Sequence, residues 1–255
     1  MKLLLNIIFL LISICASFAQ EIRLTEFADL KQIYGEQMSS DYLLPMNELG
    51  VDFGYVLYES EVLIESEESV LNVENIRDFA AVYLGEVLQG TITDNQKQLR
   101  LKSKPGKYRL RLYVENIGRI TYGPEILDNS KGVFGDIQLN GETVDNWTMI
   151  ELNVRSCDVK QLKFGDFGKK TTPGFFKACF STNRPRDKYL DISGWGMGEA
   201  WINGKYIGSF WEKEKQQSIL VPATILKKGM NEIVVFELKN HQQKSLRFSC
   251  NPVFK

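Results

Sequence analysis

Histidine is nearly absent from this 255-residue sequence, which holds one, His241. A single imidazole cannot share a metal with a second, so zinc sites built on paired histidines are excluded. At most one Ser-His or Cys-His pair is available for nucleophilic catalysis. No sign of charge predominates either: 31 Lys plus Arg stand against 32 Asp plus Glu, a formal net charge of −1. That balance gives no electrostatic basis for binding nucleic acid or an anionic membrane surface, and the expected partners are neutral molecules or other proteins. Long stretches of helical period are missing, and no apolar run reaches the ~20 residues needed to span a bilayer. With 44% hydrophobic and 25% charged residues, 20 Gly and 7 Pro, the composition excludes a collagen, a disordered tail and a coiled coil. Carboxylates are plentiful, so acid–base chemistry is not excluded by composition.

The apolar run that does exist lies at the start. Lys2, then Leu3 to Ile14, then Ser17 and Ala19 before Gln20 have the layout of a cleaved secretory signal over residues 1–19, with small residues at −3 and −1. An exported chain is the expectation. Cleavage would remove Cys15 and leave Cys157, Cys179 and Cys250. Three thiols make one bridge at most, and the simpler expectation is small buried hydrophobes in a core that needs no staple.

Beyond Phe53 the pattern is one of short strands. Tyr55–Tyr58, Phe79–Leu84 and Tyr108–Val114 are rich in β-branched and aromatic residues, and Arg109 and Arg111 alternate with Leu110 and Leu112 in the period of a half-buried strand. A short helical turn is expected near Ala223–Lys228, ahead of Gly229. The chain also repeats itself. Ala81-Val82-Tyr83-Leu84-Gly85-Glu86-Val87-Leu88 aligns with Ala200-Trp201-Ile202-Asn203-Gly204-Lys205-Tyr206-Ile207, and Gly106 before Leu110–Val114 aligns with Gly229 before Ile233–Glu237, at offsets of 119 and 123 residues. Both copies of the first segment read as strand, tight turn, strand, with Asn203-Gly204 the stronger hairpin signal. The economical reading is all-β: two tandem antiparallel β-sandwiches of about 100 residues each.

Two segments carry chemistry. Glu115, Asn116, Arg119 and Tyr122 fall within eight residues where a strand runs into a loop, and loops at a sandwich end carry function more often than its strands. The plainer alternative is that Glu115 pairs with Arg119 and Tyr122 packs on the next domain. In the second segment Trp195, Trp201, Tyr206 and Trp211 crowd into 17 positions, with glycines close to Trp195. Indole faces stack on the apolar face of a sugar ring, but large aromatics also fill cores. Trp201, inside a strand, reads as core. Trp195 and Trp211, at strand ends, are the candidates for an exposed sugar platform. Asp128–Lys131 lacks the dense oxygen ligands of a calcium loop and reads as a solvated turn.

These motifs resemble one family. Met46-Asn47-Glu48-Leu49-Gly50 with Phe53–Tyr58, and Val114–Gly123, are similar to the barrel exit and first all-β domain of the family 35 glycoside hydrolases, the retaining β-galactosidases. Leu190–Gly196, Ala200–Gly204 and Gly229–Glu237 resemble that family's galactose-binding-like jelly roll. The resemblance covers roughly residues 42–250 and implies a linker over 20–50, a first all-β domain over 51–136 and a jelly roll over 137–255. It also implies a preceding (β/α)₈ barrel bearing two catalytic glutamates, which needs about 250 residues. Only about thirty residues separate the signal from the β-domain motifs, and neither glutamate has a counterpart to carry over. No catalytic residue, metal ligand or cofactor is therefore expected in this chain. The expected function is that of a non-catalytic carbohydrate-binding or accessory module for a galactoside or other neutral glycan. The alternative is the β-part of a split β-galactosidase whose barrel is a separate chain. Asn116, Arg119, Tyr122, Trp195 and Trp211 are the candidate sugar contacts, with Tyr122 and Arg119 bordering the sugar where a barrel is present.

Overall fold

The computed structural model describes residues 21–255 apart from 120, 129, 169–172 and 240–242. The signal expected over 1–19, His241, Ile120 and Asn129 lie outside the described residues. Among the described residues the chain forms twenty strands and three short 3₁₀ turns, one of them at Ala223–Ile225 where a turn was expected. No helix among them is long and apolar enough to cross a membrane.

Strands are numbered in chain order. The first sandwich has a six-stranded sheet in the spatial order β3 (Tyr34–Ser40), β12 (Trp147–Leu152), β4 (Gly54–Ile64), β9 (Gly106–Asn116), β6 (Phe79–Leu84), β7 (Val87–Thr93). Facing it is a four-stranded sheet in the order β11 (Glu142–Thr143), β10 (Gly132–Leu139), β5 (Glu68–Arg77), β8 (Gln98–Lys102). Alternate residues of β4 and β9, among them Val56, Tyr58, Leu110 and Leu112, meet Leu71, Val73 and Ile137 of the facing sheet. Trp147 closes this core, its indole N–H donating to the Val144 carbonyl at 2.8 Å.

The second sandwich repeats the plan. Its six-stranded sheet runs β13 (Gly165–Asp166), β2 (Glu26–Asp29), β14 (Gly174–Thr182), β19 (Gly229–Glu237), β16 (Met197–Ile202), β17 (Lys205–Trp211). Its four-stranded sheet runs β1 (Glu21–Arg23), β20 (Ser245–Ser249), β15 (Lys188–Asp191), β18 (Ser218–Val221). The two aligned hairpins are β6–β7 and β16–β17. Asn203 and Gly204 both have positive φ, 53° and 76°, the backbone of the tight turn whose twist matches a hairpin. Strand order is the same in both sandwiches with one difference. The places that β11 and β12 take in the first, after β10, are taken in the second by β1 and β2 from the other end of the chain.

The expected linker over 20–50 is thus corrected. Residues 21–29 supply a strand to each sheet of the second sandwich, and Tyr34–Ser40 forms an edge of the first. The segment's three strands belong to three different sheets. The boundary between 136 and 137 is corrected too: it falls inside β10, and β11 and β12 still belong to the first sandwich.

Between the sandwiches lies a second kind of core. The outer face of one six-stranded sheet (Tyr55, Leu57, Phe79, Tyr83, Tyr113, Ile150) packs on the outer face of the other (Phe175, Met197, Trp201, Val234, Phe236). The molecule is a stack of four sheets with apolar layers between each pair. Every residue of β6 and of β16 is buried, which explains why these strands read as continuous apolar runs rather than alternating ones. Tyr83 ties the layers by donating to the Leu238 carbonyl at 3.1 Å. Gly198 allows close strand approach, since an added Cβ would run into the Phe236 carbonyl oxygen. Trp201 is core as expected, though in the seam between sandwiches rather than within one. The cysteines depart from expectation in their burial: Cys157 is half-buried, and Cys179 and Cys250 are exposed.

Phe27 of β2 is buried against Phe176 at 5.2 Å between ring centroids. Phe27→Ala is expected to cost about 3–5 kcal/mol of stability, read from the midpoint of urea unfolding. A residue in a mere linker would change it by less than about 0.5 kcal/mol.

Candidate functional site

Several strand ends of the first sandwich meet at one end of the molecule. Gly54 opens β4 opposite Asn116, Phe79 opens β6 opposite Glu115, and Gly132 opens β10 opposite Arg77. Asn116, a candidate sugar contact, is 1% exposed. Its amide donates to the Val51 carbonyl at 3.1 Å and its oxygen accepts from the Gly118 N–H at 2.8 Å. Both of its hydrogen-bonding groups are committed to the loop, so Asn116 is corrected from sugar contact to loop anchor. Beside it the buried Lys131 donates to both oxygens of Asp78, at 2.7 and 2.8 Å, and Asp78 also accepts from the Ile117 N–H at 3.0 Å. This framework pushes the loop outward. Tyr122 is 92% exposed and Arg119 is exposed as well.

Glu115 does not pair with Arg119 as the plainer alternative had it. Its side chain enters the seam, where Tyr55 lies 3.0 Å from Oε1 and where the other carboxylate, Glu199, approaches from the second sandwich. Glu199 is wholly buried. It accepts from Arg155 Nε at 2.7 Å and from the Tyr206 hydroxyl at 2.6 Å. At the rim the Arg155 guanidinium covers the Phe53 ring at 4.3 Å and lies 5.6 Å from that of Tyr206. Phe53, Ile117 and Tyr206 are exposed there. The sequence signal for Glu199 was present but unread: an acid in the middle of an otherwise apolar strand.

The second sandwich carries an open cleft of about 490 Å³, where β1, β15 and β20 meet the loop that follows β15. Asp191 of β15, Arg247 of β20 and Glu21 of β1 are lateral neighbours in register across three strands. Arg247 Nη2 lies 3.5 Å from Asp191 Oδ2, and Asp191 Oδ1 accepts from the Ser193 N–H at 2.9 Å. Ser193, Gln243 and Ser245 complete the polar lining. The cleft thus offers acceptors and donors in close alternation, the chemistry that neutral polyols require. Trp195 forms part of its wall but is only 1% exposed, edge-on to Phe210 at 6.2 Å between centroids. It cannot present a face to a sugar, so the expected stacking role is corrected. Glycines flank it because the backbone bends there: Gly194 has φ +83°. Trp211 is corrected likewise. It is half-buried at the seam, 6.4 Å from Phe79, with the Lys213 ammonium 5.5 Å from its ring. Both indoles lie at strand ends as expected, but the sheets close over them.

Two buried carboxyls have strongly altered acidity. Burial pushes Glu115 up to about 7, the Tyr55 hydrogen bond opposing and the nearby Glu199 charge reinforcing it. Burial pushes Glu237 up to about 8, against donation from the N–H groups of Gly196, Met197 and Lys239. Neither carboxyl lines the open cleft.

Two family models match this chain in order, "Beta-galactosidase, first all-beta domain" over residues 44–153 and "Beta-galactosidase, galactose-binding domain" over 173–231. Similar curated proteins include human beta-galactosidase-1-like protein 2, 29% identical over 82% of this chain and 34% of the relative. Beta-galactosidase 17 of Arabidopsis thaliana is 30% identical over 88% of this chain and 36% of the relative. A beta-galactosidase of Xanthomonas manihotis is 29% identical over 77% and 33%. The chain spans about a third of the length of the curated relatives it matches.

Asn116→Ala is expected to cost about 1–3 kcal/mol by leaving the Val51 carbonyl and Gly118 N–H unpaired, seen as a lowered thermal midpoint. Tyr122→Ala and Arg119→Ala should each stay within about 0.5 kcal/mol of the parent.

Proposed function

The chain is made of the first all-β and galactose-binding domains of the β-galactosidases, and from that premise we propose that it is an exported, non-catalytic carbohydrate-binding or accessory module of the family 35 type. The observation that carries the reading is the coincidence of the galactose-binding match with the polar cleft of the same sandwich. Asp191, Glu21 and Gln243 can accept from ring hydroxyls, and Arg247 and Gln243 can donate to them. A neutral mono- or disaccharide needs alternating donors and acceptors of this kind, and no charge of its own.

Catalysis is no part of the proposal. Glycoside hydrolysis needs two carboxyls facing each other across an open, sugar-sized gap. Glu115 and Glu199 are paired but sealed between sheets, and Glu237 is locked on backbone N–H groups. Export rests on the layout of residues 1–19, and the mass of the secreted product, starting at Gln20, checks it.

A second reading is favoured by one feature. Phe53, Ile117, Tyr122 and Tyr206 are exposed large side chains near the end where the seam opens, and the relatives are about three times longer. In that reading the chain is the β-part of a β-galactosidase whose barrel is a separate polypeptide docking there. Co-purification with a barrel-only glycosidase supports it; a monomer that retains no such partner removes it.

Isothermal titration with galactose, lactose and galactan fragments is expected to give binding at millimolar sugar. Asp191→Ala and Arg247→Ala should weaken it about tenfold or more, the loss of one charge-assisted hydrogen bond. Absence of heat with every sugar overturns the binding role. A chromogenic galactoside should show no turnover by the purified chain.

A further inference from the structure

The seam between the sandwiches is largely apolar, and at one end of it five polar side chains from five segments meet. Tyr55 comes from β4, Glu115 from β9, Glu199 from β16, Tyr206 from β17, and Arg155 from the connection after β12. The Phe236 ring of β19 packs against Tyr55 at 5.3 Å. Asp78, between β5 and β6, adds a negative charge nearby, but its carboxylate is already paired with Lys131.

Hydrogen counting fixes how this group is protonated. The Tyr55 hydroxyl lies 3.0 Å from Glu115 Oε1 and 3.1 Å from Glu199 Oε1. A phenol has one proton, so it donates to one of two carboxylates and cannot donate to both. Glu199 also receives Arg155 and Tyr206, the partners of an ionised carboxylate. Glu115 makes no ion pair among the described residues: the guanidinium that acts on it, Arg155, is bonded to Glu199, and its Oε2 is buried with no hydrogen-bond partner. We propose that Glu115 carries a proton in the native seam, donates it to Tyr55, which donates in turn to Glu199, and that this shared proton is a pH-set latch between the two sandwiches. Losing it leaves two buried carboxylates facing two phenols, Tyr55 and Tyr206, and one guanidinium, an uncompensated buried charge.

The direction with pH follows. Glu115 titrates near 4.5 in the unfolded chain and at about 7 in the fold. Stability from the proton is therefore complete below pH 4.5. It declines as pH rises from 4.5 to 7, where the unfolded chain binds fewer protons than the native one, and is gone above that window. Burial raises Tyr55 well above 10, so its own ionisation lies outside the window. Glu237 shifts the same way but inside the second sandwich, so a difference between variants is needed to isolate Glu115.

Glu115→Gln, neutral at every pH and of the same shape, supplies that difference. Its thermal midpoint should be equal to or below that of the parent at pH 4.5 and exceed it by about 5 °C or more at pH 8. The Glu115 side-chain carboxyl carbon, followed by NMR in the folded protein, should titrate near pH 7. Fluorescence of Trp201 and Trp211, which lie in the seam, should change over the same range in the parent and not in the variant. A carboxyl resonance titrating at an ordinary position near 4.5, or a midpoint difference between variant and parent that does not grow with pH, overturns the proposal. The NMR titration stands even where the variant folds poorly.

Discussion

Burying both faces of two β-sheets is the constraint on which the rest of this structure depends. Each six-stranded sheet packs one face on its own four-stranded partner and the other face on its counterpart across the seam. Separated, the first sandwich would present Tyr55 and Tyr83 to water and the second Phe175, Trp201 and Phe236, and fully burying each such ring is worth on the order of 2 kcal/mol. The two domains are therefore energetically one body. Small residues such as Ala81, Ala200 and Gly198 let the sheets and strands approach closely enough to exclude water.

A seam of this kind tolerates few polar groups, and two carboxyls meet at one end of it. There Glu199 is neutralised by Arg155, while Glu115 escapes the cost of a buried charge by remaining a neutral acid. The same end carries the exposed Phe53, Ile117 and Tyr122. The polar cleft lies on the second sandwich and is formed by that sandwich's own strands. The polar cleft and the interdomain seam thus use separate residues.

Much of the fold was legible along the chain. Strand-forming runs, the doubled hairpin and Asn203-Gly204 are local signals, and both hairpins form where those signals stand. The candidate site was harder to read. In the motif around Asp191–Trp195 the indole proved to be buried wall, and the half-buried aspartate is the polar group that lines the cleft. Asp191 gains its neighbours Arg247 and Glu21 from strands 56 and 170 residues away, and no spacing rule joins them. Glu115 was set beside Arg119, whereas it meets Tyr55, 60 residues away, which also reaches Glu199 of the other sandwich.

Alternation, turn residues and repetition, all properties of neighbouring positions, determined that this protein would be two antiparallel sandwiches of one plan. The tertiary structure alone decided that the first nine described residues complete the second sandwich, that the two sandwiches fuse through an apolar seam, and which acids face each other there. The reason is physical: a strand's sequence records which of its faces avoid water, but not which distant surface will cover them.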